Sequence, residues 1–518
     1  MKRLTCSQYD FEKMVKEDFL YIDKTEYIWQ MISSGSCGYF LARPRRFGKS
    51  LLLSTLKAVF EGKRELFKGL ALYDKSYDWK QYPVIHLDLG NCQCNTAEEL
   101  ENRLQNKVAN SAECLGVVLR GNDATIQFEN LIFDSSKFAP PVVLIDEYDK
   151  PILGNIDSPH VDEILRKLKG FYSVVKTSFP LLRFFFLTGV SKFCHVSVFS
   201  DLNNLTDISM DARFATMLGY TQEEFEHYFA EYIAQTESQQ ELPHNEYLTE
   251  IKRWYDGFRF EENADTVYNP VSLASFFISG GKFKNFWFAT GTPSFLIKLI
   301  KKAKFDFERT LNEPASELSF AAYDVDNLSV LPLLLQTGYL TIKSSFKEFG
   351  TTSYMLDFPN FEVKSAFDCY LLNAYTTVES ESIQSYAKSL ARFVRSGDVE
   401  GFHECLTALI ASIPYELFIK EEKYFQTIIY LLFLLLGVYI EAEAHTNIGR
   451  IDAVAACGDW IYIFEFKLDK NENIAFDQIM SRKYYQKYQC RGKHVMLIGA
   501  NFSYEARQLT GWKTKHLR

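Results

Sequence analysis

The chain has 518 residues, of which 47% are hydrophobic, 15% aromatic and 24% charged, with a formal net charge of −9. That length exceeds what one hydrophobic core organises and implies two to four domains, while the composition excludes a largely disordered or fibrous chain. The negative balance also excludes a surface built throughout for nucleic acid, so any such contact has to be local.

The N-terminus, Met1 to Ser7 running into Tyr9-Asp10-Phe11-Glu12, holds no apolar stretch of the kind that targets a chain for secretion. Asp23-Lys24-Thr25 either caps a helix or lines a base pocket. From Tyr39 to Ala42 a short apolar strand leads into Arg43-Pro44-Arg45-Arg46-Phe47-Gly48-Lys49-Ser50, and Leu51 to Phe60 then carries apolar residues at helical spacing. Further strands are predicted at Val84–Leu87, Val142–Ile145 and Phe184–Leu187, with helices between them. Continuous apolar runs alternating with helices indicate a parallel sheet covered on both faces. Thr221-Gln222-Glu223-Glu224 matches a capping box, so a helical region opens there.

Gln336–Ile342 and Ser353–Leu356 alternate as strands around a turn containing Gly350, and read as the hairpin of a winged-helix-like part. Val363 to Ala411 is a helical connector. Beyond Pro414 come a long apolar helix, strands around Val438–Glu443, Ile451–Ala455 and Ile461–Phe466, and a helix from Ala475 to Gln489. The longest apolar run, Ile428 to Ile440, is shorter than the ~20 residues of a membrane span, so a core helix and no membrane association are expected. The 10 cysteines lack paired C-x-x-C spacing and read as reduced thiols, which places the chain in the cytoplasm. The domains expected are 1–220, 221–362, 363–413 and 414–518.

Two segments carry chemistry. Binding ATP requires backbone N–H groups around the triphosphate, a lysine against its terminal phosphates and a hydroxyl toward Mg²⁺. Gly48, Lys49 and Ser50 supply these between a strand and a helix, although Arg43 stands where such loops usually have glycine. Asp146, at the end of an apolar strand, is suited to hold Mg²⁺, and Glu147 to polarise the attacking water. Thr188 and Ser191, after the next strand, are candidate sensors of the terminal phosphate. Arg43, Arg45 and Arg46 belong to the nucleotide site; Arg45 and Arg46 either bind phosphate directly or reach a neighbouring subunit's nucleotide, which would make the protein a homo-oligomer. Arg213 reads as a solvated surface residue.

At the other end, Gly449-Arg450-Ile451-Asp452 is followed by Glu465-Phe466-Lys467. Cleaving a phosphodiester with Mg²⁺ takes converging carboxylates and a lysine near the attacking water. Glu465 and Lys467 lie two apart on a strand and share a face. Asp452 can meet them across a hairpin, Glu443 and Glu422 can enlarge the acidic cluster, and Gln478 and Tyr484 can orient substrate. Asp452, Glu465 and Lys467 are the expected catalytic group, with Glu443, Asp452 and Glu465 toward the metal. A basic run, Lys467, Lys470, Arg482, Lys483, Lys487, Arg491 and Lys493, either follows a phosphate backbone or is a solvated face.

On these residues the chain resembles the AAA-ATPase-like proteins that carry a C-terminal PD-(D/E)XK nuclease superfamily domain, found mainly in bacteria. Arg43 to Leu53, Leu144 to Lys150, Leu187 to Phe193, Leu202-Asn203-Asn204-Leu205, Trp254-Tyr255-Asp256-Gly257-Phe258, Tyr268-Asn269-Pro270, Gln336 to Thr341, Gly449 to Asp452, Glu465-Phe466-Lys467 and Gln478-Ile479 with Tyr484 carry the likeness over nearly the whole length. In that family the loop also begins with arginine. Ile451 replaces the proline of the superfamily name without removing a ligand. The resemblance implies an α/β P-loop ATPase, a helical and winged-helix-like middle, and a restriction-endonuclease-like α/β domain. The expected function is ATP binding and hydrolysis controlling a Mg²⁺-dependent nuclease that acts on DNA. The alternative is a nucleotide-dependent switch or scaffold whose C-terminal domain binds a partner without cutting.

Overall fold

The computed structural model describes residues 1–518 apart from 93, 157, 193–204, 241, 288–293, 304–309, 312, 321–329, 349, 377, 414–421, 437–438, 447–448, 484, 490–491 and 518. The chain divides into two compact units, Met1–Val363 and Lys364–Arg518.

The first unit is built on a five-stranded parallel sheet of β1 (Gly38–Ala42), β2 (Val84–Asp88), β3 (Val142–Asp146), β4 (Phe184–Gly189) and β5 (Thr206–Asp207), in the order β2-β3-β4-β1-β5. Helices on both faces remove water from both sides of a central strand, so such a strand is apolar at nearly every position. β1, β3 and β4 are accordingly buried along their whole length. Helices follow at Lys49–Phe60, Ala97–Leu115, Ala124–Ser136 and Val161–Ser178; the second and third open on Thr96 and Asp123, whose side chains accept from the N–H groups of Glu99 and Ile126. Since all five strands run the same way, their C-terminal ends form one edge. There the chain turns into the phosphate-loop segment and the Asp-Glu pair.

The predicted capping box is present: Thr221 and Glu224 satisfy each other's backbone N–H at the start of helix Gln222–Tyr228. The helical region that follows packs Phe225, Phe229, Tyr247, Tyr255, Tyr268 and Phe276 into one aromatic core, which Ile22 of the N-terminal segment joins. A small sheet, β6 (Ala315–Ser316), β7 (Thr341–Glu348) and β8 (Thr351–Asp357), has the order β6-β8-β7. Gln336 corrects the sequence reading, since it ends helix Val330–Gln336 instead of opening a strand. Gly338, at φ +82°, turns the chain in the left-handed region, and the strand begins three residues later.

The second unit contains a mixed sheet of β9 (Tyr439–Thr446), β10 (Gly449–Cys457), β11 (Trp460–Leu468), β12 (His494–Ser503) and β13 (Gln508–Leu517), ordered β13-β12-β11-β10-β9. Only β11 and β12 are parallel, and helix Glu472–Arg482 connects them. The predicted helix to Gln489 stops earlier because Lys483 adopts φ +49°; a short turn of helix, Gln486–Gln489, resumes after it. Alternation along β11 divides its side chains. Phe464 meets Phe402 and Phe433 of helices Val399–Ala411 and Glu422–Leu435, while Ile461 and Ile463 pack with Phe476 and Ile479 of the crossover helix. Glu465 and Lys467 continue the second series. Most of the apolar run from Ile428 lies in helix Glu422–Leu435 as core, and no helix among the described residues is long and apolar enough to cross a membrane. The described cysteines are free thiols.

Asp368, in helix Phe361–Thr376, is a buried carboxyl with no hydrogen-bond partner on either oxygen among the described residues, and burial pushes its pKa up to about 7. A carboxyl whose pKa is raised on folding binds its proton more tightly in the folded state, so stability falls as pH rises from the unfolded value toward 7 and levels off above it. Asp368→Asn should remove that dependence. In denaturation of the full chain, the stability gained by the variant should grow by about 2–3 kcal/mol between pH 5 and 7.5 and stay constant beyond; equal pH profiles would contradict the assignment.

Candidate nucleotide-binding and nuclease-like sites

After β1 the chain makes a tight loop in which Arg46 (φ +64°) and Gly48 (φ +92°) both take left-handed conformations before helix Lys49–Phe60 begins. The turn at Gly48 leads directly into the helix N-terminus, where free N–H groups and the helix dipole favour an anion. Lys49 is buried, and its Nζ donates to the carbonyls of Arg43 at 3.0 Å and Pro44 at 2.9 Å. Burial lowers its pKa, against the opposing pull of Asp146, Glu147 and Asp149.

Asp146, at the end of β3, is shared. Ser50 Oγ donates to its Oδ2 at 2.6 Å and Thr188 Oγ1 to its Oδ1 at 2.5 Å. Glu147 follows at φ +50°, a conformation unusual for a residue other than glycine, and burial raises its pKa although Lys49 and Lys150 oppose the shift. A cavity of about 400 Å³ opens against these groups. Arg45, Arg46, Lys49, Ser50, Glu147 and Lys150 line one part of it, and Tyr21, Met217, Leu218 and Tyr220 contribute apolar surface. Arg45 is half-buried and Arg46 exposed, and neither has an ion-pair or hydrogen-bond partner among the described residues.

Three expectations change. Arg43 does not line this cavity: its guanidinium is 1% exposed, donates to the carbonyls of Ala42, Ser209 and Phe214, and stacks 4.1 Å from the Phe260 ring. A buried cation has to satisfy its donors inside the protein, and here loop carbonyls do so. Thr188 and Ser191 are likewise fully buried, with their hydroxyls given to Asp146 and Asp149, so neither reaches the cavity. Asp23 accepts from Thr25 and from the Ala71 N–H, while Lys24 lines the cavity and pairs with Glu224 at 2.6 Å. Arg213 is on the surface, paired with Asp211.

In the second unit, Asp452 Oδ2 accepts from the Phe466 N–H at 2.7 Å, which ties β10 to β11 at the acidic residues. Glu465 is 1% exposed; its Oε1 accepts from Lys467 Nζ at 3.0 Å and also from Gln478 Nε2, while its buried Oε2 has no hydrogen-bond partner among the described residues. Burial, then the charge of Asp452, raises the Glu465 pKa to about 7. Burial works against the charge on Lys467, but Glu465, Asp452 and Glu422 outweigh it and its pKa moves up. Glu422 Oε1 stands 3.6 Å from Lys467 Nζ. Gln426, which the sequence reading missed, donates to the Asp452 carbonyl at 2.7 Å; its one signal was its position four residues after Glu422 on the same helix. The Glu443 and Arg450 side chains and all of Tyr484, Arg491, Phe193 and Leu202-Asn203-Asn204 lie outside the described residues. Among the described residues, no three His, Cys, Asp or Glu side chains are grouped to hold a metal.

A phosphate loop and an Asp-Glu pair at the C-terminal edge of a parallel sheet define a P-loop nucleotide-binding protein, here joined to a second α/β unit with an Asp/Glu-x-Lys constellation. The family described as predicted AAA-ATPase matches residues 7–199, and the PD-(D/E)XK nuclease superfamily matches residues 420–512. A protein of Azotobacter chroococcum mcd 1, described as an uncharacterized protein in the vnfD 5'region, is 34% identical over 528 residues, spanning 100% of this chain and 99% of its own length. No solved structure matches. The chain belongs to the AAA-ATPase-like family with a C-terminal PD-(D/E)XK nuclease superfamily domain.

Arg43→Ala would strip donors from three carbonyls at once and should destabilise the protein by on the order of 3–5 kcal/mol in chemical denaturation. Arg45→Ala and Arg46→Ala should leave stability within about 0.5 kcal/mol while weakening nucleotide binding about tenfold or more. The reverse pattern would reassign the arginines.

Proposed function

We propose that the chain binds and hydrolyses ATP with Mg²⁺, and that its nucleotide state controls a Mg²⁺-dependent nuclease-like domain acting on DNA. The observation that carries the first half is the pairing of Ser50 and Asp146 beside two guanidinium groups that have no protein partner among the described residues. A hydroxyl and a carboxylate already 2.6 Å apart suit one divalent cation, and unpaired arginines in a cavity suit a polyphosphate. Lys49 would exchange its two loop carbonyls for phosphate oxygens. Glu147, with its raised pKa, would orient and deprotonate the attacking water.

For the second half, the buried Oε2 of Glu465 has no hydrogen-bond partner among the described residues and fits a cation, with Asp452 as its companion and Glu443 as a further candidate. Such a cation would supply charge against the scissile phosphate. Lys467 would hold the nucleophile or the phosphate in place, and Gln478 and Gln426 would keep the carboxylates oriented. The net charge of −9 favours the second reading, a nucleotide-driven switch whose C-terminal domain binds a partner without cutting. The working division is 1–220 for the ATPase, 221–362 for the helical and winged-helix-like region, 363–413 for the connector and 414–518 for the nuclease-like domain, in a cytoplasmic protein.

The test is incubation of the full chain with plasmid, single-stranded DNA and RNA, with Mg²⁺ or Mn²⁺ and with or without ATP. Metal-dependent cutting of DNA that responds to ATP and is lost in Asp452→Ala and Lys467→Ala is expected; cutting no greater than in those variants decides for the switch. Lys49→Ala should abolish ATP binding measured with a fluorescent analogue, and retained affinity would dismiss the phosphate-loop assignment.

A further inference from the structure

Three residues after Asp146, a second carboxylate is buried behind the nucleotide site. Asp149 is 1% exposed, and its Oδ2 accepts three hydrogen bonds: from the Val190 N–H at 2.9 Å, the Ser191 N–H at 2.7 Å and Ser191 Oγ at 2.8 Å. Its neighbour Tyr148 reinforces the junction. The Tyr148 N–H donates to the Thr188 carbonyl at 3.0 Å and its hydroxyl to the Ser191 carbonyl at 2.8 Å, while Tyr172 Oη donates to the Tyr148 carbonyl at 3.1 Å. The fit leaves no room for a side chain at Gly189, where a Cβ would stand 2.4 Å from the Tyr148 ring.

These contacts join the turn after β3 to the end of β4. The turn contains Glu147 in its left-handed conformation, and the strand end contains Thr188, which holds Asp146. An unfavourable backbone conformation persists only where its surroundings over-determine it, and the bonds from residues 148 and 149 to residues 188–191 are those surroundings. None of the groups making them is exposed to the cavity described above.

We propose that Asp149 is a positioning residue for ATP hydrolysis: it locks the Glu147 turn to the Thr188–Ser191 segment and acts on turnover rather than on nucleotide affinity. The proposal rests on the reading of the cavity as an ATP site. Phosphate-contacting groups come from the loop after β1 and from Ser50; the hydrogen bonds to the Asp149 carboxylate come from Val190 and Ser191, and its charge reaches Lys49 only through space, so ATP should still bind when the lock is removed. The direction of the Glu147 carboxyl should then be lost. A displacement of about 1 Å at a group that must meet the attacking water is sufficient to slow a reaction on the order of 100-fold.

The experiment uses the full chain with Mg²⁺, comparing wild type, Asp149→Ala, Asp149→Asn and Ser191→Ala for affinity toward a fluorescent ATP analogue and for steady-state hydrolysis. Asp149→Ala is expected to lower kcat on the order of 100-fold with affinity changed less than about threefold. Asp149→Asn keeps one carbonyl oxygen able to accept, and should recover part of the loss. Ser191→Ala removes a single bond without removing the acceptor and should give a smaller fall in kcat, which supplies the readout if Asp149→Ala does not fold. Unchanged kcat in Asp149→Ala, or in Ser191→Ala should the former be insoluble, overturns the proposal, as does loss of affinity in parallel with kcat. Wild-type protein that binds no ATP overturns the underlying nucleotide reading, a result distinct from binding with variant-independent turnover.

Discussion

The carboxylate of Asp146 is the junction on which the first unit's chemistry depends. β1 and β3 are not neighbours, because β4 runs between them. A loop serine that follows β1 and an aspartate that ends β3 therefore meet only across the end of β4, and Thr188 fills that position with a hydroxyl directed at the same carboxylate. The strand order thus converts three separate chain segments into one hydrogen-bonded set. In a dry interior each of these bonds is stronger than in water, and an unpaired member would be costly, so the set holds a single geometry.

Charge is distributed by the same logic on either side of that junction. Arg43 is satisfied internally, by carbonyls that bind the loop to the segment of Ser209 and Phe214. Arg45 and Arg46, one and two positions later, line the cavity instead. Three arginines in four residues therefore divide into one that shapes the loop and two that line the cavity. A similar division appears in the motifs of the helical region. Asn269 caps helix Pro270–Ile278 by accepting from the Val271 and Ser272 N–H groups, and its own N–H donates to the Tyr255 carbonyl. Pro270 and Val271 then reach the cavity wall. Through the bond from Asn269 to Tyr255, the Tyr255 segment supports the Tyr268–Pro270 segment at one wall of the cavity.

In the second unit the constraint is burial of charge. Glu465 continues a strand face whose earlier members, Ile461 and Ile463, anchor the crossover helix, so its carboxyl enters the same dry layer. Lys467 and Gln478 compensate one oxygen, and the other has no hydrogen bond among the described residues. A fold that needed only stability would place an apolar residue there, since an uncompensated buried acid opposes folding.

Local patterns in the sequence determined much of this. Apolar runs marked β1 to β4, Thr221 and Glu224 marked a helix start, and the residue types at 48–50, 146–147, 452, 465 and 467 marked two chemistries, because strand burial, capping and charge chemistry all act over a few residues. Where local pattern is weak it did not suffice: β12 and β13 were not foreseen, and the helix after β11 stopped at Lys483 through a backbone conformation that side-chain periodicity does not encode. Only the tertiary structure decided that Arg43 faces inward while Arg45 and Arg46 line the cavity, that Thr188 bonds to Asp146, that Asp149 bonds to Ser191 and that Gln426 bonds to Asp452. Each of those outcomes depends on which segments lie side by side, and a hydrogen bond between residues 26 to 166 positions apart has no signature in either segment alone.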